Sequence, residues 1–192
     1  MDQRIFFHST GRRVFFRHFL LFFCIYLFRS HAVDESERSA ELLKLLERSA
    51  GVYRDPLINP SLKQTVIITG CNSGYLNFLR NFKCFTDRLN LKVLVFSMDQ
   101  KVHTHIGDQN DTALSSFLWI GNDVINEESA VFRSQQFNAI THAKTAYTLA
   151  VLKLGYDVLF IDTDIALIRD PMPYLIWKNV DYVFSHNKIC PQ

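Results

Sequence analysis

Residues 156–177 read YDVLFIDTDIALIRDPMPYLIW, and no other stretch restricts the possible folds as tightly. Val158-Leu159-Phe160-Ile161 is an apolar run too short for a helix of its own. Such runs suit strands buried on both faces of a parallel sheet. This one stops abruptly at Asp162-Thr163-Asp164. In open α/β sheets ligands gather just beyond the carboxyl ends of the strands, so two acidic groups there face a crevice. Hard divalent cations such as Mn²⁺ or Mg²⁺ take oxygen ligands and can bridge carboxylates to a diphosphate. An Asp-x-Asp triplet arises readily by chance, so its meaning comes from what surrounds it.

The surroundings are ordered. Phe137–Leu154 places Ile140, Ala143, Tyr147, Ala150/Val151 and Leu154 at helical spacing. Gly155 follows where a left-handed cap ends a helix. The order is therefore helix, glycine stop, buried strand, acidic pair. Lys144 falls on the edge of the apolar face formed by Ile140, Tyr147 and Val151, from which it can reach a crevice and touch phosphate or sugar hydroxyls; a snorkelling side chain is the plainer alternative. After the pair come Ile165–Ile168, then Arg169-Asp170, which reads as a surface ion pair, and a Pro171/Pro173 break.

The segment LKLGYDVLFIDTDIALIRDPMPYL, with KTAYTLAVLKLG before it and DYVFSHN after it, resembles the nucleotide-diphospho-sugar transferases, a family that includes plant pectin xylosyltransferases and cell-wall arabinosyltransferases. Thr65–Asp99 resembles the opening of that family more faintly. The resemblance implies an α/β fold, the Rossmann-like, mostly parallel sheet of a type-A glycosyltransferase. It further implies a UDP-sugar donor, a glycan or glycoprotein acceptor, Mn²⁺ dependence, retention of anomeric configuration and a Golgi location. Asp162 would contact the ribose or the metal, and Asp164 would ligate the metal directly. Two carboxylates do not fill a six-coordinate shell. In the resembled enzymes a further ligand comes from well downstream, so the 192 residues would carry the N-terminal, donor-binding part. A non-catalytic donor-binding module is the alternative reading.

The N-terminus carries Arg4, Arg12, Arg13 and Arg17 before the unbroken apolar run Phe19–Phe28. That run is short for a spanning helix and within the range of a signal-peptide core, with Ser30-His31-Ala32 as a cleavage pattern. Either way the chain is expected to enter the secretory pathway. The resemblance favours a single-pass type II Golgi anchor over a secreted product. Residues 1–33 read as anchor or signal peptide and residues 34–60 as stem and linker, with a stem helix over Asp34–Ala50 stopped by Gly51. Residues 61–192 read as the transferase domain. Asn110-Asp111-Thr112 is a glycosylation sequon, meaningful only in the lumen.

Within the domain, Thr65–Thr69 and Leu91–Phe96 read as strands, Tyr75–Asn90 as a helix with Tyr75, Phe78, Leu79, Phe82 and Phe85 inward, Phe117–Ile120 as a short strand, and Asp181–Phe184 as another. Asp99 sits at a strand's carboxyl end, where it would either bind a ribose or base or cap the turn. Glu127-Glu128 reads as a solvated helix start. His103 and His105 read as loop histidines, because no third ligand is spaced with them. Thr69-Gly70-x-x-x-Gly74 and the pair Tyr174/Lys178 raise a third reading, a short-chain dehydrogenase. It is disfavoured because Leu76 stands where the third glycine must let the backbone approach a pyrophosphate. The net charge of +2 and the absence of a basic stripe in the body argue against nucleic acid. Four cysteines, Cys24, Cys71, Cys84 and Cys190, fit no metal spacing.

Overall fold

The computed structural model describes residues 35–50, 64–108, 113–121 and 125–175. The anchor segment 1–33, the linker and proposed boundary near Ser61, Asn110, Cys24, Lys178, Cys190 and the strand expected over Asp181–Phe184 lie outside the described residues. The chain divides into two compact units, 1–42 and 43–192. Helix α1 spans residues 35–49, close to the stem helix expected from sequence. Its last turns belong to the larger unit, where Leu46 and Ser49 are buried and the Lys92 ammonium reaches the Arg48 carbonyl at 3.5 Å. Among the described residues no helix is long and apolar enough to cross a membrane.

Four strands build the larger unit: β1 (Thr65–Cys71), β2 (Val93–Ser97), β3 (Leu114–Leu118) and β4 (Asp157–Phe160). They form one sheet in the order β3-β2-β1-β4, with every neighbour parallel. Helix α2 (Leu76–Arg88) joins β1 to β2, α3 (Gln100–Asp108) joins β2 to β3, and α4 (Gln135–Lys153) leads into β4. A short helical turn, α5 (Met172–Leu175), follows. The order runs outward from β1 through β2 to β3, then returns to the far side of β1. Crossovers between parallel strands are right-handed, so reversing the direction of travel moves the helix to the opposite face of the sheet. The packing follows that rule. Ile67, Cys71, Val93 and Val95 pack with Leu79 and Phe82 of α2 and with Val102 and Ile106 of α3. On the other face Phe96 stacks on Tyr147 of α4 at 4.3 Å, and Trp119 and Phe160 flank that ring at 5.8 and 6.3 Å. Stacked rings of this kind contribute about 0.5–1.5 kcal/mol beyond the area they bury.

Element ends obey local chemistry. Ser134 caps α4 by accepting from the Phe137 amide at 3.1 Å. Gly155, at φ +90°, ends that helix and gives its amide to the Leu152 carbonyl, as the sequence suggested. Asn90 does the same for α2 at φ 52°.

Several expectations are corrected. The third strand starts at Leu114, earlier than Phe117, and its serines concealed it. Ser116 sits in the strand because Ser97 (2.7 Å) and the His103 ring (2.8 Å) both satisfy its hydroxyl. His103 and His105 lie on α3 rather than in a loop. Glu127-Glu128 does not open a helix: Asn72 and Gln136 side-chain amides claim the Glu128 carbonyl, and α4 begins only after Ser134. On α2, Phe78 points outward and is 48% exposed, while Leu79 and Phe82 fill the core.

Candidate functional site

The sheet order reverses between β1 and β4, which makes the gap beyond their carboxyl ends the topological switch point of the fold. Strand β4 ends at Phe160, and Ile161 still bonds to the Ile68 carbonyl before the chain turns. Asp162 then opens a tight turn closed by the Ile165 amide on its carbonyl at 3.2 Å. Ile161 and Thr163 are buried and hold the turn down. Asp162 and Asp164, two positions apart, are left towards solvent, Asp162 half-buried and Asp164 exposed.

Lys144 reaches this turn from α4. Its ammonium donates to Asp162 Oδ1 at 2.5 Å and lies 5.5 Å from the centre of the Phe160 ring. The side chains are 31% and 47% exposed, so solvent screens the pair and it adds little to stability. The edge-of-face position read from sequence is what lets the lysine bend to the rim. Among the described residues none engages the second Asp162 oxygen or the Asp164 carboxylate, and no three acidic, histidine or cysteine side chains cluster as a metal nest.

Asp99 stands at the end of β2 and is differently employed. One oxygen accepts from the Ser73 amide at 2.6 Å. The other accepts from the Ser73 hydroxyl at 2.8 Å and from the Val102 amide at 2.9 Å. It thereby caps α3 and ties that cap to the loop after β1, the turn-capping alternative raised from sequence.

The glycines that suggested a dinucleotide fingerprint face protein. A Cβ on Gly70 would meet the Tyr147 hydroxyl at 2.3 Å, and one on Gly74 would meet the Ser129 amide at 2.2 Å. Asn72 donates to the Asn126 carbonyl at 2.7 Å and to that of Glu128 at 2.8 Å, while the Tyr75 hydroxyl accepts from the Ala130 amide at 3.0 Å. The loop 125–134 is thus bound to the exit of β1, a role that sequence reasoning missed. The only available signal was the polar pair Asn72-Ser73 directly after a buried strand.

Three buried polar atoms near the same strand end, Thr69 Oγ1, Asn72 Oδ1 and the Tyr147 hydroxyl, lack a partner. Burial chiefly, then the nearby Asp162 and Cys71, raises the Tyr147 pKa far above its usual value, so the phenol stays neutral. The Cys71 thiol is pushed up to about 12 by burial and by Asp99. Cys71 and Cys84 are both free.

A cavity of about 750 Å³ opens between the loop 125–134 and the first turns of α4. Its lining includes Asn126, Ser129, Ser134, Gln135, Gln136 and Asn138, and it shares no residue with the acidic turn.

Comparison with known proteins bears on the whole unit. The family model for nucleotide-diphospho-sugar transferases matches residues 89–191, just over half of the chain. An arabinosyltransferase of Arabidopsis thaliana is 27% identical over 134 residues, which is 66% of this chain and 19% of the relative. A UDP-D-xylose:L-fucose alpha-1,3-D-xylosyltransferase of the same plant is 29% identical over 119 residues, 58% of this chain and 30% of the relative. A UDP-galactose:fucoside alpha-3-galactosyltransferase of Dictyostelium discoideum is 28% identical over 129 residues, 55% of this chain and 20% of the relative. The chain thus spans between a fifth and a third of the length of these relatives. No solved structure matches it. The family match runs through β2, α4, β4 and the acidic turn, so the dehydrogenase reading gives way. The chain belongs to the nucleotide-diphospho-sugar transferase family.

Proposed function

We propose that this chain binds the UDP-sugar donor of a metal-dependent, retaining glycosyltransferase of the secretory pathway, and takes part in sugar transfer to a glycan. One observation carries the reading. At the switch point of the sheet, the Asp164 carboxylate stands exposed and without a described partner, two residues from a carboxylate that a lysine already neutralises in part. A carboxylate held by neighbours is capping a turn; one left open beyond a parallel strand is available to a ligand.

The residues fit a hard divalent cation as a partial set. Asp164 and the second oxygen of Asp162 would hold it, with donor oxygens and water completing the shell. When bound, such an ion offsets charge on a leaving diphosphate as a Lewis acid. Lys144 would hold Asp162 in place and offer a cation to the phosphates. The xylosyltransferase of Arabidopsis thaliana is named for L-fucose and the galactosyltransferase of Dictyostelium discoideum for a fucoside, which supports a fucoside as the acceptor to try first. Golgi retention by the N-terminal segment is part of the same proposal.

The test is release of UDP from UDP-xylose and UDP-galactose with Mn²⁺, with and without methyl α-L-fucoside. Turnover that disappears in Asp164→Ala supports the reading. The described residues offer no third acidic or histidine ligand, which favours one second reading, a donor-binding module without turnover. Metal-dependent UDP binding with no product at any acceptor would select it.

A further inference from the structure

The cavity beside α4 is unlike the acidic turn in its chemistry. Its described lining contains no lysine or arginine, one carboxylate, from Glu128, and one imidazole, from His142. A diphosphate is best held by permanently charged guanidinium or ammonium groups, which this lining lacks, so a neutral guest suits it better. Apart from these two, the polar lining is amide and hydroxyl: Asn126, Gln135, Gln136 and Asn138 beside Ser129 and Ser134. Planar amides present a donor and an acceptor side by side, which matches the adjacent hydroxyls of a sugar ring, each able to donate and accept. Val131, 77% exposed, gives an apolar lip against which a ring's C–H face can rest. A volume of about 750 Å³ is ample for one or two sugar residues.

The cavity is also fixed in shape. Asn72 and Gln136 amides both hold the Asn126 and Glu128 carbonyls, at 2.7–3.3 Å, and Gly74 lets the loop close onto the end of β1. Ser134 spends its lone pair capping α4 and keeps its hydroxyl hydrogen to donate. The wall of the cavity is therefore bonded to the same strand end that borders the switch point.

We propose that this cavity is the acceptor subsite, binding a neutral, hydroxyl-rich glycan end beside the donor. The inference rests on the donor-site reading for its role, but its binding chemistry is independent of it. The lining shares no residue with the turn that would hold the donor's phosphates, and competition by the donor tells a separate acceptor from the donor's own sugar.

The experiment uses saturation-transfer NMR on the full 192-residue chain with methyl glycosides of L-fucose, D-galactose and D-xylose. At least one should bind saturably. Gln135 and Asn138 are exposed, so Gln135→Ala with Asn138→Ala leaves the fold intact and should weaken that glycoside by about tenfold. UDP binding with Mn²⁺ should be unchanged in the same variant. No binding by any of the three glycosides at millimolar concentration overturns the proposal, as does equal binding by the double variant. Displacement of the glycoside by UDP-xylose but not by UDP would make the cavity the donor's own sugar pocket, and also overturns it. Loss of UDP binding alone, with glycoside binding kept, would instead remove the donor-site reading.

Discussion

Asp99 and Asp164 both lie beyond the carboxyl end of a parallel strand, after Ser97 of the buried β2 and after Phe160 of the half-buried β4, and they have opposite fates. Asp99 accepts three hydrogen bonds from Ser73 and Val102, and the loop after β1 is closed around it. Asp164 sits on an exposed turn, and no described residue bonds to its carboxylate. The lesson is that position in an α/β sheet nominates a residue for ligand binding, but hydrogen-bond satisfaction decides whether it is available. A carboxylate saturated by main-chain amides has been committed to the fold, whereas an unsatisfied one at the switch point is held in reserve.

That contrast can be broken by substitution. The largest loss of stability should come from Gly74→Ala, on the closed side. A Cβ there meets main-chain atoms of Glu128 and Ser129 at 2.2–2.4 Å, and backbone cannot swing aside as a side chain can. Overpacking of this kind costs about 1–3 kcal/mol, occasionally more, readable by urea denaturation. The glycoside signal from the neighbouring cavity should fall with it.

Asp99→Asn comes next. The amide retains one oxygen where the carboxylate offered two, and its NH₂ must confront either the Ser73 amide or the Val102 amide. Leaving one such donor unpaired costs about 1–3 kcal/mol. Hydrogen exchange should show the first turn of α3 opening before the rest of the domain.

The smallest effect belongs to the open side. Asp164→Ala removes no bond to a described residue and should leave the denaturation midpoint within about 0.5 kcal/mol of the parent. A large destabilisation there would mean that Asp164, like Asp99, serves the fold.

Much of this was legible in the sequence. Val158–Ile161 announced a parallel strand, although β4 is half-buried throughout rather than buried on both faces, because among the described strands it pairs only with β1; Gly155 marked its helix stop, and the spacing of Ile140, Ala143, Tyr147 and Val151 the face of α4. Lys144 was readable as an edge residue, because 100° per residue is enough to place it. Other features were hidden for identifiable reasons. Strand β3 carries two serines, and the Ser116 hydroxyl is satisfied by partners 13 and 19 residues away, which no local pattern reveals. The glycines at 70 and 74 looked like cofactor glycines because close approach leaves the same mark whatever comes close. Here a tyrosine hydroxyl and a neighbouring loop make the approach. The cavity depends on contacts between residues 72–75 and 126–130, more than fifty positions apart, so its existence could not be read from either segment alone.

The most direct test of the account is calorimetric titration of UDP into the chain, with and without Mn²⁺, beside the Asp164→Ala variant. The account predicts binding that requires the metal and is lost in a variant that remains as stable as its parent. Metal-independent UDP binding, or full binding by Asp164→Ala, would contradict it.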